Sequence, residues 1–381
     1  MTQNMNQAAN QYANRPKDER FDSIDAFIAH AKEQQDLSEE RSYNLKDLHV
    51  IVGNTLNTPT FQPTPEQATV KLQSPKGTAD FTHWSFGQLC RSLGAPAGYL
   101  RTLDPKIAAD ALNYGLATST LGTAANLLVK APNGNPFPVV RACTSETYGR
   151  LYDYPLYSVL KSQVLDRGNF TLPPVWGGGV AGAYSGDRDS FLIATNGGSI
   201  VTDPTLHSGG DSGAMYRGLL IRNSEVGACS VTIDCILYRY ICGNHILWGA
   251  VYDQRFRRRH VGKNVLRDTI REISQIAVRW TQAGTERDTA IIRGLIDHEI
   301  AHTKEAVIDE LRAIDKTLTK EQATAAYELC ERTEAVSPRS FWGAAQGLTR
   351  LSQESQYQNE RFELDRVAAL ILSRGAKLVA A

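Results

Sequence analysis

Residues 216–242 read YRGLLIRNSEVGACSVTIDCILYRYIC and contain two apolar runs separated by a short polar segment. Residues 216–222 and 229–242 are rich in the β-branched and aromatic side chains that strands favour. Between them, Asn223-Ser224-Glu225-Val226-Gly227 has the composition of a turn. Residues 190–196 alternate between apolar and polar before Gly197-Gly198, which predicts a third strand. The region therefore predicts three antiparallel strands with one buried face.

The run 229–242 has the period of two that is expected of a strand. Its opposite face includes Tyr238 and Tyr240. Arg239 interrupts the apolar face and needs a partner, because an unpaired buried charge is strongly destabilising. Arg239 is either one half of a structural ion pair or a clamp for a phosphate or carboxylate group. The apolar face carries Cys229, Val231, Ile233, Cys235, Leu237, Arg239 and Ile241, and the candidate partners are Asp187, Asp189 and Glu225.

The remaining patterns predict an α+β protein with a central antiparallel sheet, flanking helices and a largely helical C-terminal region. Further strands are expected at residues 48–52, 68–73, 125–131 and 138–142, and helices at residues 21–32, 104–117 and 155–165. Residues 57–65 hold three prolines and three threonines, which predicts a loop. From residue 264 onward only helical patterns persist, including one long helix over residues 285–316.

This pattern divides the chain into a disordered tail at residues 1–20, an α+β core domain at residues 21–262 and a helical region at residues 263–381. The helical region either packs on the sheet or forms the interface of a homo-oligomer.

The densest charge cluster of the chain is RFRRRHVGK at residues 255–263. Such a cluster either protects a solvated strand edge from aggregation or contacts the phosphates of nucleic acid. Tyr238 and Tyr240 offer rings for base stacking if they project from the sheet beside it, although the C-terminal helices could equally cover them. The candidate nucleic-acid-binding residues are Arg255, Phe256, Arg257, Arg258, Arg259, His260, Lys263, Tyr238 and Tyr240.

A second set of residues suits an anionic ligand, because an arginine fork matches both phosphate and carboxylate. This hypothesis requires the groups to converge in one pocket. The sequence contains no P-loop, dinucleotide fingerprint or activated nucleophile, so we assign no catalytic residue and no cofactor. The candidate anion site consists of Arg222, Asn223, Arg239, Asn244, Asp187 and Asp189.

Residues 298–302 spell HEIAH, the pattern of a zinc metalloprotease helix. With about 100° of rotation per residue, His298 and His302 lie well off the apolar stripe of the predicted helix. No third zinc ligand is evident from the sequence. We therefore interpret the motif as two histidines on a surface helix, keep a zinc protease as a remote alternative, and assign no metal ligand.

Residues 83–103, HWSFGQLCRSLGAPAGYLRTL, predict two short helices around Gly94-Ala95-Pro96. The arrangement resembles a DNA-binding helix-turn-helix. However, the second helix lacks the row of Arg, Asn or Gln that reads bases in the major groove, which favours two packed helices without that role.

The composition of the chain limits the classes of protein to which it can belong. The chain has 41 basic and 41 acidic residues, so a global positive field is absent and only local patches can attract nucleic acid. Its six cysteines include no CxxC pair, which favours core thiols in a reducing compartment. No apolar run approaches the roughly 20 residues that cross a bilayer. The N-terminal residues lack the apolar segment of a secretory signal. We expect a cytoplasmic protein without a membrane partner.

Four ordered blocks carry a resemblance to a known family: HWSFGQLCRSLGAPAGYL, VVRACTSETYGRLYDYPLY, RGLLIRNSEVGACSVTIDCILYRYICGNHILWG and RRRHVGK. Over about residues 45–265 the chain resembles the phage- and plasmid-like family called domain of unknown function 932. The matching positions are Asn223, Ser224 and Gly227, then Arg239, Cys242 and Asn244, then Arg259, His260 and Gly262. Glu225-Val226 replaces the His-Asp pair common in that turn. The resemblance implies a place on phages, prophages or plasmids and implies no chemistry.

Three hypotheses follow. The first is a non-catalytic nucleic-acid-binding protein of a mobile element, with DNA favoured, that acts in replication, recombination or annealing through residues 255–263. The second is an enzyme acting on a phosphate-bearing or anionic substrate. The third is a phage protein that binds a host partner through its helical tail, in which case deletion after residue 283 leaves a folded core.

Overall fold

A computed structural model describes residues 17–54, 68–119, 123–131, 137–173, 182–202, 214–239, 244–251, 255–260 and 265–379 of the chain. The α+β prediction is confirmed, and the strands are divided between two sheets rather than gathered in one. The predicted loop at residues 57–65 lies outside the described residues. No helix in the described part of the chain is long and apolar enough to cross a membrane.

The described strands are numbered along the chain. They are β1 (Glu19–Phe21), β2 (Ser38–Asn44), β3 (His49–Asn54), β4 (Ala68–Ser74), β5 (Gly77–Phe81), β6 (Ala124–Lys130), β7 (Val139–Thr144), β8 (Phe170–Thr171), β9 (Ala183–Ser185), β10 (Ser190–Thr202), β11 (Ala214–Asn223), β12 (Val231–Arg239), β13 (Asn244–Leu247) and β14 (Arg255–Arg258).

The described helices are α1 (Ile24–Asp36), α2 (His83–Ser92), α3 (Ala97–Leu100), α4 (Pro105–Thr118), α5 (Asp153–Leu160), α6 (Val265–Thr281), α7 (Thr285–Asp297), α8 (Lys304–Ile314), α9 (Lys320–Thr333), α10 (Phe341–Ser352) and α11 (Gln358–Val379).

The large sheet has the strand order β1-β9-β10-β11-β12-β13, with β8 also paired to β10 and β14 also paired to β12. Its centre is the hairpin predicted from residues 216–242, in which Arg222 lies opposite Thr232. Gly227 closes the turn with φ +75°, a left-handed conformation that glycine adopts at little cost. A register shift between Thr195 and Ile200 lets β10 continue past the predicted end at Gly197-Gly198.

The small sheet has the strand order β2-β6-β7-β5-β4-β3, and within it only β5 and β7 pair in parallel among the described strands. The predicted hairpin between residues 125–131 and 138–142 corresponds to the antiparallel pair β6–β7. Helices α2, α3 and α4 cover one face with an apolar core that includes Phe86, Leu89 and Leu112. Asp104 caps α4 at the predicted start of the helix over residues 104–117, because its side chain accepts from the backbone N–H of Lys106 at 2.8 Å.

Both faces of the large sheet are covered. Val231, Ile233, Cys235 and Leu237 of β12 point into the main core, as the period of two predicts. The opposite face packs against α11 through a smaller cluster that contains Phe362 and Ala369. Helices α6 to α11 therefore pack on the sheet, which is the first of the two alternatives for the C-terminal region.

The C-terminal helices are anchored in the sheet by a buried ion pair. Arg217 of β11 contacts the carboxylate of Asp288 in α7, and both side chains are at most 1% exposed. Trp248 donates its indole N–H to the same carboxylate at 2.8 Å. Removal of either charged group would leave the other buried without a counter-charge, which is strongly destabilising.

Two predicted boundaries are wrong. The single helix over residues 285–316 is broken into α7 and α8, because α7 ends with His298 as its C-cap, Glu299 forms an isolated β-bridge with Ser340, and Thr303 caps a new helix. Backbone groups at the break form hydrogen bonds with the residues just before α10: the N–H of Ile300 donates to the carbonyl of Arg339 at 2.7 Å. At the N-terminus, Glu19 and Arg20 belong to β1 rather than to a tail, and residues 1–16 lie outside the described residues.

Candidate nucleic-acid interface

The basic residues 255–260 do not form one positively charged face. Strand β14 pairs with β12, so its side chains alternate between the two faces of the large sheet. Arg257 and Arg259 are exposed, whereas Arg258 forms ion pairs with two carboxylates of α6 at 3.1 and 2.9 Å. Arg255 begins the strand, and Lys263 lies outside the described residues. In this described segment, the exposed side chains of Arg257 and Arg259 are therefore available to contact a phosphate.

The structure buries both described aromatic residues of the candidate nucleic-acid-binding set, which for Tyr238 is the second of the two alternatives. Tyr238 is 2% exposed because α11 covers it, and Phe256 is 7% exposed. The guanidinium of Arg258 lies 5.7 Å from the centre of the Phe256 ring. Tyr240 lies outside the described residues. The sequence pattern could not separate a free sheet face from one that a distant helix covers.

His260 is also buried, at 4% exposure. Its Nδ1 lies 2.5 Å from the Tyr148 hydroxyl, which donates to the carbonyl of Ser224 at 2.9 Å. Burial, with a smaller contribution from Arg150, lowers the pKa of His260 to about 4. The imidazole is therefore neutral at pH 7 and supports the turn instead of attracting phosphate.

The candidate anion residues do not converge in one pocket. Arg222 binds Asp189 at 2.5 Å between the rings of Phe191 and Phe362. Arg239 lies along β12 seven residues beyond the partner of Arg222, which is about 23 Å of extended strand. The ion pair predicted for Arg239 exists, but its partner is Glu334 of α9's C-terminus at 3.0 Å. The three carboxylates proposed for Arg239 were wrong.

Those three carboxylates serve other arginines. Asp189 belongs to Arg222, Asp187 lies 3.6 Å from Arg188, and Glu225 binds Arg141 at 2.9 Å. The partner of Arg239 could not be predicted because it lies far away in the chain. The alternation of side chains along β12 gives no information about distant segments.

The two asparagines of the set have different positions. Asn223 is buried and donates its amide to the Leu151 carbonyl at 2.9 Å and to Asp153 Oδ1 at 2.7 Å. It holds the turn in place. The backbone of Asn244 in β13 lies opposite that of Arg239 in β12, and the structure does not describe the Asn244 side chain.

The HEIAH residues are not on a helix face. His302 has a 94% exposed side chain and lies 3.2 Å from Glu299, whose other oxygen binds Arg339 at 2.9 Å. His298 Nδ1 contacts the carbonyl of Gly294. Within the described ranges, no group of three or more His, Cys, Asp or Glu side chains is placed to hold a metal ion.

A positively charged cleft lies elsewhere, at the boundary between the two sheets. We call it the arginine cleft; its volume is about 420 Å³, and no carboxylate is among the lining residues that the structure describes. One wall is α2, another is the α2–α3 turn with α3, and a third is the connection between β9 and β10. The lining residues are His83, Trp84, Gly87, Gln88, Arg91, Gly94, Ala95, Ala97, Arg101 and Arg188.

The α2 wall follows from the sequence. Thr82 and Ser85 form a reciprocal capping box that starts the helix at His83. The five cleft residues of α2 lie at helical positions i, i+1, i+4, i+5 and i+8, which share one face. Gly87 leaves room for a neighbouring arginine, because a Cβ there would lie 3.0 Å from Arg101 Nη2.

Three arginines with different environments line the cleft. The Arg101 guanidinium is fixed by donation to the His83 carbonyl at 2.8 Å. Arg188 lies 5.4 Å from the centre of the Trp84 ring and 3.3 Å from His83 Nδ1. Arg91 is exposed on the last turn of α2, and within the described residues it forms no ion pair. Arg91 is thus the most available cation of the cleft.

The hairpin turn of the large sheet supports the cleft from behind. The Val226 carbonyl accepts from Trp84 Nε1 at 3.0 Å and from Gln88 Nε2 at 2.8 Å. Ser224 Oγ donates to the Arg188 carbonyl at 2.6 Å. Hydrogen bonds from the turn at residues 223–227 therefore hold three cleft residues, Trp84, Gln88 and Arg188, in place.

Sequence reasoning found the α2–α3 pair but not its charge. The helix-turn-helix pattern concerns base-reading residues on the second helix, whereas Arg91 lies on the first helix and Arg101 lies just after the second. The spacing of His83, Trp84 and Arg91 was a usable signal. Arg188 gives none, because it is about a hundred residues away in the chain.

A scan of protein-family models, a search of curated proteins and a search of solved structures each found no match for this chain.

Proposed function

We propose that this protein binds nucleic acid and that the arginine cleft receives a phosphate group of the strand. The observation that carries the proposal is the grouping of Arg91, Arg101 and Arg188 around a cavity of about 420 Å³ whose described lining residues include no carboxylate. Guanidinium forks match phosphate oxygens in charge and geometry. Three such groups in one concave site favour an anion of high charge density.

The surroundings of the cleft suit a nucleotide better than a bare inorganic anion. Its volume lies within the range of about 300–1,000 Å³ of small-molecule sites. Trp84 and His83 provide aromatic surface beside the cations, as in proteins that stack bases. The wall formed by Gly94, Ala95 and Ala97 has no side chain beyond Cβ and leaves space for a ligand.

A role for a mobile genetic element is part of the proposal and rests on the sequence resemblance of about residues 45–265 to the phage- and plasmid-like family. A non-catalytic role in replication, recombination or annealing fits that context. A cytoplasmic location is also part of the proposal and rests on the scattered cysteines without a CxxC pair. The zero net charge of the chain means that binding depends on local sites rather than on a diffuse field.

The test is fluorescence anisotropy of labelled DNA and RNA oligonucleotides at two or more salt concentrations. Arg91→Ala is the cleanest variant, because Arg91 is exposed and makes no described ion pair. Loss of one phosphate contact is expected to weaken binding and to reduce the salt slope by about 0.7–0.9. Arg293→Ala is the matched control, since Arg293 is another exposed helical arginine without a described partner.

The same assay compares the cleft with the cluster predicted from the sequence. The double variant Arg257→Ala, Arg259→Ala removes the two exposed arginines of that cluster. If the cleft is the interface, this variant binds as the wild type does and Arg91→Ala does not. Wild-type protein that fails to bind any oligonucleotide at low salt would sink the proposal, and so would an Arg91→Ala variant that keeps the wild-type affinity and slope.

A further inference from the structure

A second cleft adjoins the arginine cleft at the boundary between the sheets. Its volume is about 390 Å³, and its walls come from the N-terminal segment, α1, the β6–β7 hairpin and the end of β9. Thr82 and Asp187 line this second cleft, and the next residues in the chain, His83 and Arg188, line the arginine cleft. Two pairs of consecutive residues therefore form the ridge that separates the clefts.

Cations continue across this ridge. Lys17, Lys130 and Arg141 line the second cleft. Lys130 donates to Gln34 Oε1 at 2.6 Å, and within the described residues no carboxylate contacts it. Burial, together with the positive charge of Arg141, lowers the pKa of Lys130. The negative charges of Glu19 and Glu33 offset this lowering only in part, so an anionic ligand beside Lys130 would favour its charged form.

The second cleft also contains two carboxylates, and both have cationic or basic partners. Glu19 lies 3.5 Å from His30, and Asp187 lies 3.6 Å from Arg188. Asp187 is at the ridge itself, where a passing phosphate would meet its negative charge.

From this arrangement we infer that a single strand of nucleic acid crosses the boundary between the sheets, with one phosphate in the arginine cleft and a following one in the second cleft. The inference rests on the proposed function. A single strand fits because its backbone can bend over the ridge and its unpaired bases can enter cavities of this size. The paired bases of a duplex cannot enter either cleft without separating.

The experiment measures the affinity of thymidine 5′-phosphate and of a length series of oligothymidylates, with a hairpin duplex for comparison. Affinity is expected to rise between the mononucleotide and the shortest oligonucleotide that reaches both clefts. Arg91→Ala weakens binding at every length. Lys130→Gln weakens only the longer oligonucleotides, by about fivefold or less for one partly exposed contact.

Lys17→Gln is a second variant with the same expected pattern, and Lys17 is exposed, so its loss leaves the fold unchanged. Asp187→Asn removes the negative charge at the ridge and is expected to tighten binding of the longer oligonucleotides. An Asp187→Asn protein with unchanged or weaker binding of those oligonucleotides contradicts a path over the ridge.

The outcomes separate this inference from the proposed function. If no oligonucleotide binds, the proposed function fails. If oligonucleotides bind but the mononucleotide binds equally well, and both lysine variants match the wild type, the strand does not use the second cleft. Duplex affinity equal to that of the single strand overturns the inference while nucleic-acid binding stands.

Discussion

Trp84 donates its indole N–H to the carbonyl oxygen of Val226 at 3.0 Å, and Gln88 donates to the same oxygen at 2.8 Å. This contact joins α2, which packs on the small sheet, to the central hairpin of the large sheet. Val226 also packs against Leu128 and Ala142 of the small sheet. The shape of the arginine cleft therefore depends on how the two sheets are held together.

Trp84→Phe tests this dependence. The variant keeps an aromatic ring in the cleft and loses one of two hydrogen bonds to Val226, which costs about 1 kcal/mol of unfolding free energy. We expect weaker nucleic-acid binding as the cleft loosens. Urea unfolding and anisotropy measure the two effects. Trp342→Phe is the control, because Trp342 is buried and its indole N–H has no described partner. It should lower stability and leave affinity unchanged; equal affinity in both variants contradicts the role of Trp84.

Gly227→Ala tests the turn itself. Gly227 has φ +75°, and its added Cβ would lie no closer than 3.4 Å to a neighbour, so the cost comes from the backbone alone. We expect a loss of about 1 kcal/mol in unfolding free energy. Gly98→Ala in α3 is the control, because φ there is ordinary and the Cβ would meet open space. A Gly227→Ala protein as stable as the wild type would show that the turn tolerates another conformation.

Asp153 makes stability depend on pH. Its Oδ1 accepts from Ser190 and from Asn223 at 2.7 Å, and loss of hydration together with the charge of Glu225 raises its pKa to about 7. The folded pKa is above the unfolded value of about 3.9. The contribution of Asp153 to the free energy of unfolding is therefore complete below about pH 4 and is lost as pH rises to about 7. Asp153→Asn should remove this trend, so the stability of the variant relative to the wild type rises with pH.

The wild-type curve alone does not reveal this trend, because His260 opposes it. The pKa of His260 is lowered to about 4, so its contribution is lost as pH falls from about 6.5 toward 4. Unfolding free energies of the wild type and Asp153→Asn must be compared at each pH from 4 to 8. A constant difference across that range contradicts the raised pKa of Asp153.

Asp288→Asn tests the buried anchor of the C-terminal helices. The change leaves the Arg217 guanidinium buried without a full counter-charge, which costs about 3–5 kcal/mol. Chemical denaturation measures the loss. Asp110→Asn is the control, because its ion pair with Lys106 is exposed and contributes less than about 1 kcal/mol. Similar losses in the two variants would contradict the cost expected for a buried guanidinium without its counter-charge.

Deletion of residues 284–381 is expected to prevent folding. The sequence suggested that such a deletion leaves a folded core, but α7 to α11 fill the main core and supply Asp288 and Glu334 to Arg217 and Arg239. The truncated chain should show no cooperative transition by circular dichroism. A cooperative transition in that chain would mean that the large sheet is stable without its helices.

The hairpin and the helix starts were predictable because their causes are local. The apolar period of residues 229–239 and the turn at Gly227 identified β11 and β12, and the helix predicted over residues 104–117 corresponds to α4, which Asp104 caps. The break at residues 298–302 was not predictable, since no glycine or proline marks it. It depends on backbone hydrogen bonds to Arg339 and Phe341, which are distant in the chain.

By itself the sequence determined the α+β class, the central hairpin and its turn, and the buried side of β12, because side-chain period and turn chemistry act over a few residues. Only the tertiary structure decided which charges meet. It buried Tyr238 under α11, paired Arg239 with Glu334, and gathered Arg91, Arg101 and Arg188 around one cleft. These outcomes depend on which elements pack together, and the Coulomb interaction follows distance in space rather than distance along the chain.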